Sequence, residues 1–255
     1  MYFHKYSLVG AGNMATAMAT ALHEAGCEIV DICSAHYEHA SVLAQKVGAA
    51  AVRHVAQMRP LADAVLLAVP DNVIGTLELP RHSWTVLHTA GSVPMDILGD
   101  KADSHGVLWP VCSLRKGQAC TLSGVPVCIE ASDGATLARL HALAELLGAK
   151  SMEVTSEQRL RLHLAAVVVN NFGNALHALT QEWLAAEGLS MDILAPLALQ
   201  TAQGFHGNLW QRQTGPAVRG DAATMQRHIE LLASNPDLQR LYSLFSSIIG
   251  QHTDA

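Results

Sequence analysis

The sequence lacks a long apolar run, a C-x-x-C pair and a block of like charges, and each absence excludes a class of protein. The most apolar stretch, residues 164–179, is interrupted by Asn170, Asn171, Asn174 and His177, so it falls short of the roughly 18 apolar residues of a membrane-spanning helix. The formal charge of −6 arises from 16 basic and 22 acidic residues without a long run of either sign. This balance argues against nucleic acid and membranes as partners. We therefore expect a cytoplasmic protein with a small-molecule substrate.

Metal and disulfide chemistry are also disfavoured. The 5 cysteines, at positions 27, 33, 112, 120 and 128, are odd in number and show neither a zinc spacing nor a disulfide framework. They are interpreted as small buried hydrophobic residues. The 14 histidines are scattered without an H-E-x-x-H pair, so no metal site is expected.

The stretch SLVGAGNMATAMATAL near the start predicts a strand, a G-x-G-x-x-A turn and a helix in direct succession. Gly10 permits the tight turn and Gly12 lets the backbone approach a pyrophosphate, while the helix that begins at Asn13 and Met14 directs its first amides at the anion. The turn therefore predicts a dinucleotide site made of these four residues. A secretory signal, with Lys5 as its basic residue, is the alternative.

Strands and helices alternate over the first part of the chain. The segments EIVDICS, DAVLLAVP, TVLHTAG, GVLWPV and VPVCIEAS predict strands, while HASVLAQKVG and GATLARLHALAELLGAK predict helices. This alternation favours an α/β Rossmann-type doubly wound sheet over residues 1–154, with its binding crevice at the carboxyl ends of the strands.

The pattern changes at Thr155, which opens a capping box with Gln158. From there one long helix is predicted up to Gly188, and further helices are predicted over residues 191–203, 222–233 and from Pro236 onward. Residues 155–255 are therefore expected to form an all-α C-terminal domain for dimerisation and substrate binding. Because a long apolar helix usually needs a partner to cover it, we expect a homodimer with intertwined helical domains.

Two loops that follow predicted strands are candidates for the cofactor. Pro70 and Asp71 follow DAVLLAVP, and Thr89, Ala90 and Gly91 follow the next strand. Small and hydroxylic residues suit a close approach of backbone to a flat ring. Ordinary turn chemistry in the first loop and a helix N-cap at residue 92 in the second are the alternatives.

Polar side chains on the long helix are candidates for catalysis. His163, Asn170, Asn174 and His177 share one stripe if the helix turns regularly every 3.6 residues, and their neighbours are apolar. Buried polar groups need hydrogen-bond partners, which here are either a ligand or other protein groups. In the glycine-rich loop QTGPAVRGD, Thr214 and Arg219 are candidates for a substrate carboxylate or phosphate, with a solvated surface arginine as the alternative.

The end of the second strand indicates which dinucleotide is bound. NAD enzymes usually place a carboxylate there, but this strand ends in Ser34, Ala35 and His36, and Asp31 lies on the opposite face by strand alternation. Ser34 and His36 can donate hydrogen bonds to a 2′-phosphate. We therefore expect NADP(H) to be preferred, with NAD(H) possible, although Ala35 stands where NADP enzymes often have arginine.

Four of these segments, VGAGNMATAMATAL, HTAGSVP, SEQRLRLHLAAVVVNNF and TGPAVRGD, carry a resemblance to bacterial NADP oxidoreductases that join a Rossmann-like domain to a helical domain of unknown function. More distantly, the chain is similar to pyrroline-5-carboxylate reductases, which share the GAGNMA turn and a Q-T-x-x-G stretch like residues 200–204. Those enzymes deliver a hydride from NAD(P)H to a carbon–nitrogen double bond. Their substrate loop is replaced here by residues 214–219, which implies a different substrate.

A second related class, the β-hydroxyacid and 6-phosphogluconate dehydrogenases, uses a catalytic lysine on the long helix. The last lysine here is Lys150, so that mechanism does not transfer, and His163 is the nearest protonatable group on the helix. Two functions follow from the resemblance. One is a reductase acting on a small carbonyl or imine acid, with His163, Asn170 and Asn174 as catalytic candidates, and the other is a non-catalytic NADP(H)-binding or sensing protein.

Overall fold

The computed structural model describes residues 2–115 and 121–253, and these residues form two compact units that divide after Val167. We call them the sheet unit and the helical unit. Among its described residues, the sheet unit contains eight strands in the order β3-β2-β1-β4-β5-β6-β7-β8, and of their pairs only β6–β7 is antiparallel. The strands are β1 (Lys5–Val9), β2 (Glu28–Cys33), β3 (Ala50–Val52), β4 (Ala64–Leu67), β5 (Thr85–His88), β6 (His105–Pro110), β7 (Pro126–Ala131) and β8 (Lys150–Glu153).

This architecture confirms the predicted α/β doubly wound sheet. Helices connect the strands: α1 (Asn13–Glu24), α2 (Tyr37–Val47), the short α3 (Asp71–Ile74) and α4 (Gly134–Leu146), followed by α5 (Ser156–Ala166). Alternate strand residues pack into separate cores on the two faces, with Leu66 in one and Val65 and Leu67 in the other. The sequence did not predict β3 and β8, because β3 has three residues and β8 is mostly exposed.

The order of the strands fixes where a ligand can bind. Strand β1 pairs with β2 on one side and with β4 on the other, so the chain turns back across the sheet between β3 and β4. A reversal of this kind leaves a crevice beyond the carboxyl ends of the two central strands. The predicted glycine turn follows β1, and Pro70 follows β4.

The helical unit consists of α6 (Gly173–Ala186), α7 (Ala195–Gln203), α8 (Ala222–Leu231) and α9 (Pro236–Thr253), together with short 3-10 turns. Within the described part of the chain no strand follows β8, as predicted. No helix there is long and apolar enough to cross a membrane. The described part also holds no cluster of His, Cys, Asp or Glu side chains that could bind a metal.

The capping box that opens α5 is present, because Thr155 accepts a hydrogen bond from the Gln158 amide and the Gln158 side chain accepts one from the Thr155 amide, at 3.2 and 2.9 Å. We expected the domains to meet at residues 154 and 155, but the compact units divide after Val167. The difference has a local cause. Arg159 is fully buried within the sheet unit, where it pairs with Glu130 of β7, so α5 packs with the sheet.

The prediction of one regular helix up to Gly188 is wrong over Val167–Phe172, which forms a π-helical turn between α5 and α6. A π-turn bonds residue i to i+5 and so holds about one residue more than a regular turn, which shifts the helical phase by roughly 100°. The 3.6-residue count therefore does not extend from His163 to Asn174. The single polar stripe was inferred from that count.

Buried thiols match the interpretation of the cysteines where the structure describes them. Cys27, Cys33 and Cys128 are buried and form no disulfide, and burial raises the pKa of all three thiols. Cys112 is half-buried, and Cys120 lies outside the described residues.

Candidate functional site

The two glycines of the turn after β1 are required for different reasons. Gly10 has a φ of +119°, and a Cβ added there would lie 2.1 Å from the Ala68 carbonyl oxygen, so the fold itself demands glycine. Gly12 has an ordinary φ of −82°, and a Cβ there would meet nothing within 4 Å. The protein leaves open space over Gly12. That space suits an approaching ligand, and no side chain caps the twelve-residue helix α1 behind it.

A cavity of about 590 Å³ opens at this edge of the sheet unit. Its walls include the ends of three strands, at residues 10–12, 33–36 and 68–70, and with them the predicted cofactor residues Gly10, Gly12, Ser34, His36 and Pro70. The volume and the site at the reversal of strand order are typical of a nucleotide pocket.

Other predicted cofactor residues sit beside this pocket with their side chains already engaged. Asn13 donates its side-chain amide to the Leu114 carbonyl at 3.2 Å, so it tethers the segment after β6 to the start of α1. Met14 is half-buried and packs against the core of the sheet unit. The backbone amides at the start of α1 remain the groups suited to an anion.

Sequence reasoning missed three residues that line the pocket: His39 on α2, and Arg53 and His54 just beyond β3. The signal was a basic pair after a short apolar segment, AAVRH, but β3 itself was not predicted. Without that strand, nothing indicated that Arg53 lies beside the end of β2.

Asp31, which the strand alternation places on the opposite face of β2 from Ser34, is fully buried. Its carboxylate accepts hydrogen bonds from the backbone amide and the Nε of Arg59, at 2.8 and 2.9 Å. The Asp31 charge is therefore neutralised inside the protein and is not presented to a ribose. At the strand end, Ser34 Oγ accepts a hydrogen bond from the His36 amide at 3.4 Å.

The loops after β4 and β5 are joined by their side chains. Ser92 donates a short hydrogen bond from its hydroxyl to the Asp71 carboxylate, and Asp71 begins α3 after Pro70. The alternative interpretation of Ser92 as a helix N-cap is wrong, because the next helical turn, Met95–Leu98, has Pro94 at that position.

The predicted loop residues Thr89 and Ala90 are buried at 7% and 8% exposure. The Thr89 hydroxyl donates to the Leu67 carbonyl at 3.4 Å, which ties the loop to the end of β4. These side chains shape the loop from inside. A ligand here would face the loop's backbone instead.

His163 lies directly against this loop, within the sheet unit. A Cβ on Gly91 would come within 2.6 Å of His163 Cδ2 and 2.7 Å of Trp109 Cε2, so only glycine permits the approach. The His163 and Trp109 ring centroids are 5.7 Å apart. The structure therefore brings together two separately predicted candidates, His163 and Gly91, and it adds Trp109, which sequence reasoning missed.

Arg159, one turn before His163, anchors α5 to the same loop. Its guanidinium donates a short hydrogen bond to Glu130 and a second bond, at 2.6 Å, to the Val93 carbonyl. Ser156 completes the cluster by donating its hydroxyl to Glu130 at 2.8 Å. These bonds hold the helix at a fixed position relative to the loop and so determine where the His163 ring lies.

His88, at the end of β5, is a buried imidazole with a structural role. Its Nδ1 accepts a hydrogen bond from the Ala90 amide at 3.2 Å. Burial lowers the pKa of His88 to about 4, and the positive charge of Arg159 acts in the same direction. His88 is therefore neutral at physiological pH and is not a protonated general acid.

The remaining candidates lie in the helical unit. Asn170 and Asn174 are exposed, and the Asn170 amide donates to the Asn171 side chain at 3.2 Å. Thr214 lines an apolar cavity of about 500 Å³ inside this unit, whereas Arg219 is exposed. Asp221 is an N-cap, as the sequence indicated, since it accepts from the Thr224 amide at 3.0 Å.

Comparison with known families divides the chain into two parts. Residues 5–79 match the family described as "NADP oxidoreductase coenzyme F420-dependent". Residues 125–249 match the family described as "Domain of unknown function (DUF2520)". No match was found among curated proteins.

Solved structures similar to the chain extend over its whole length. The "putative NADP oxidoreductase BF3122" of Bacteroides fragilis is 36% identical, with 97% of this chain and 98% of that chain covered and a TM-score of 0.88. An imine reductase of Myxococcus stipitatus in complex with NADP+ is 13% identical, with coverage of 98% and 94% and a TM-score of 0.64. A 1-pyrroline-5-carboxylate reductase of Streptococcus pyogenes is 13% identical, with coverage of 97% and 98% and a TM-score of 0.57. At 13% identity the last two share the fold alone.

Proposed function

Because the chain belongs to the family of NADP oxidoreductases whose C-terminal domain has no known function, we propose that it transfers a hydride between NADP(H) and a small carbonyl or imine acid. The observation that carries this proposal is the open space over Gly12. It lies at the end of β1, where the order of the strands reverses, and no contact within the protein fills it. A cytoplasmic location is part of the same proposal.

The residues of the sheet unit fit a dinucleotide. The amides at the start of α1 bind the pyrophosphate, and Gly12 lets it approach closely. Asp31 is paired with Arg59, so no carboxylate at the end of β2 repels a 2′-phosphate. This arrangement favours NADP(H) over NAD(H), in agreement with the family.

Hydride transfer to a carbonyl or imine also requires a proton at the oxygen or nitrogen. The bound nicotinamide supplies the hydride, and His163 supplies the proton in this proposal. The His163 ring lies against Gly91, in the loop that follows β5, and an imidazole can act as a general acid. Asn170, Asn174, Thr214 and Arg219 lie in the helical unit, and a role for them in binding the substrate stays a prediction.

Consumption of NADPH, followed by its absorbance with a panel of keto and imino acids, tests the activity. For a substrate that is turned over, His163→Gln should lower kcat by about 100-fold or more, as expected for the loss of a general acid. The matched control is His23→Gln, an exposed histidine on α1, which should leave kcat unchanged. A fully active and folded His163→Gln protein would refute the role of His163.

Similar folds that bind NADP+ and reduce imines favour imines as the first substrates to test, since the imine reductase of Myxococcus stipitatus shares this fold. If NADPH binds but no member of the panel is reduced, the result supports the alternative, a non-catalytic NADP(H)-binding protein.

We also propose that the protein is a homodimer through its helical unit. Large apolar side chains of that unit are exposed in the single chain, among them Phe172 at 60%, Ile193 at 81% and Leu197 at 60%. Apolar surface of this extent usually marks an interface. Sedimentation velocity should give the mass of two chains, and Phe172→Glu should shift it towards one. A wild-type monomer at micromolar concentration would refute the dimer.

A further inference from the structure

Strand β3 places Arg53 beside the end of β2, where the sequence of β2 itself has no arginine or lysine. β3 runs parallel to β2, with Val52 opposite Cys33 in the register. The next residue of each strand, Arg53 and Ser34, therefore leaves the sheet at the same level, and both line the cavity described above. NADP enzymes often have an arginine after the second strand, at the position of Ala35. Arg53 instead follows β3.

The Arg53 side chain is held in place before any ligand arrives. Its guanidinium carbon lies 4.1 Å from the centre of the Tyr37 ring, at the first position of α2. The loop that carries Arg53 is also fixed, because the Gln57 side chain accepts hydrogen bonds from the Arg53 and His54 amides at 2.9 and 3.2 Å. A preordered guanidinium loses little conformational entropy when it binds an anion.

The surroundings of Arg53 suit a phosphate group. Three histidines, His36, His39 and His54, line the cavity. None of the described lining residues is Asp or Glu. The rings of His36 and His39 are 5.3 Å apart. The eleven-residue helix α2 begins here, and its N-cap residue His36 makes no capping hydrogen bond from its side chain. Donors and partial positive charge therefore gather at one corner of the pocket.

We propose that Arg53 binds the 2′-phosphate of NADP(H), together with Ser34 and His36, and that Tyr37 is a positioning residue for its guanidinium. The inference rests on the proposed NADP(H) function and goes beyond it, since it assigns the selectivity between NADP(H) and NAD(H) to a residue after β3. It also explains how a chain with Ala35 at the end of β2 can recognise a 2′-phosphate.

Calorimetric titration of the full chain with NADPH and NADH tests the assignment. Arg53→Gln should weaken NADPH binding about 10- to 100-fold and change NADH binding less than twofold. Adenosine 2′,5′-bisphosphate and AMP should show the same contrast, which provides a readout independent of turnover. Tyr37→Phe should keep the preference because the ring remains, and Tyr37→Ala should reduce it. Arg139→Gln is the matched control, because Arg139 is also exposed and lies 5.1 Å from the centre of the Phe3 ring.

The possible outcomes separate the inference from the function on which it rests. If the wild-type protein binds NADPH and Arg53→Gln binds it equally well, the phosphate is held elsewhere and only this inference fails. An equal loss of NADPH and NADH affinity would show that Arg53 contacts a part common to both, such as the adenine, and would also overturn it. If the wild-type protein binds neither dinucleotide, the proposed function fails and this site fails with it.

Discussion

Replacing the two glycines of the first turn should separate folding from ligand binding. In Gly12→Val, the new Cβ enters open space and the backbone angle suits any residue, so the free energy of unfolding should change by about 0.5 kcal/mol or less. The same Cβ occupies the space over the turn that a pyrophosphate needs. Losing one or two hydrogen bonds to a charged group costs about 1.5–3 kcal/mol each, so NADPH affinity should fall by roughly 10- to 1,000-fold or more.

Gly10→Ala should have the opposite signature. Its Cβ would stand 2.1 Å from the Ala68 carbonyl oxygen, and its φ of +119° is strained for any residue with a side chain. Overpacking costs about 1–3 kcal/mol, and backbone strain costs a similar amount, so the variant should lose roughly 2–6 kcal/mol of stability.

Urea denaturation of both variants, paired with calorimetric titration of NADPH, measures the two effects separately. We expect a stable Gly12→Val protein that binds NADPH weakly and a destabilised Gly10→Ala protein. Wild-type affinity in folded Gly12→Val would show that the open space over Gly12 is not the pyrophosphate site. A loss of stability in Gly12→Val equal to that in Gly10→Ala would show that the contacts of the turn have been misjudged.

Two further predictions concern the buried groups beneath the site. Arg159→Met should lower the free energy of unfolding by about 3–5 kcal/mol in urea denaturation, because Glu130 loses its buried partner, whereas Arg161→Met breaks only an exposed ion pair and should cost under about 1 kcal/mol. His88 should make the protein less stable as the pH falls from about 6.5 towards 4. In this range the unfolded chain protonates its histidine, whereas the buried ring stays neutral until its pKa of about 4. The free energy of unfolding should fall by up to ~3 kcal/mol. His88→Asn should lack this part of the loss when unfolding is compared at pH 7 and pH 4.5, and an unchanged pH dependence would contradict the assignment.

Most strands of the sheet could be predicted because they are strongly apolar and each is closed by a turn. DAVLLAVP and TVLHTAG became buried strands with the predicted loops at their ends. Strand β3 could not be predicted because its three small residues carry no periodic signal. That single omission also concealed Arg53, since a residue's place in a pocket depends on strand pairing and not on its distance along the chain.

The long helix shows a different limit of sequence reasoning. Its capping box and helical character were predicted, but the π-turn at Val167–Phe172 was not, because an apolar segment such as AAVVVNNF fits both a regular and a widened helix. The burial of Arg159 was equally hidden. An arginine in a polar-looking segment is ordinarily exposed, and only its pairing with Glu130, which is 29 residues earlier, reveals that α5 belongs with the sheet.

The fold's own requirements distinguish candidate ligand residues from structural ones. Gly10 is explained by the Ala68 carbonyl, and Arg159 by its ion pair with Glu130, so no ligand is needed to account for either residue. Gly12 and Arg53 differ from these two residues. Gly12 leaves open space, and Arg53 places a positive charge at the same cavity, whose described lining contains no carboxylate. Local features that the fold itself does not require are expected at functional sites. The two residues that the fold explains least are therefore those that we assign to the two phosphate positions of the dinucleotide.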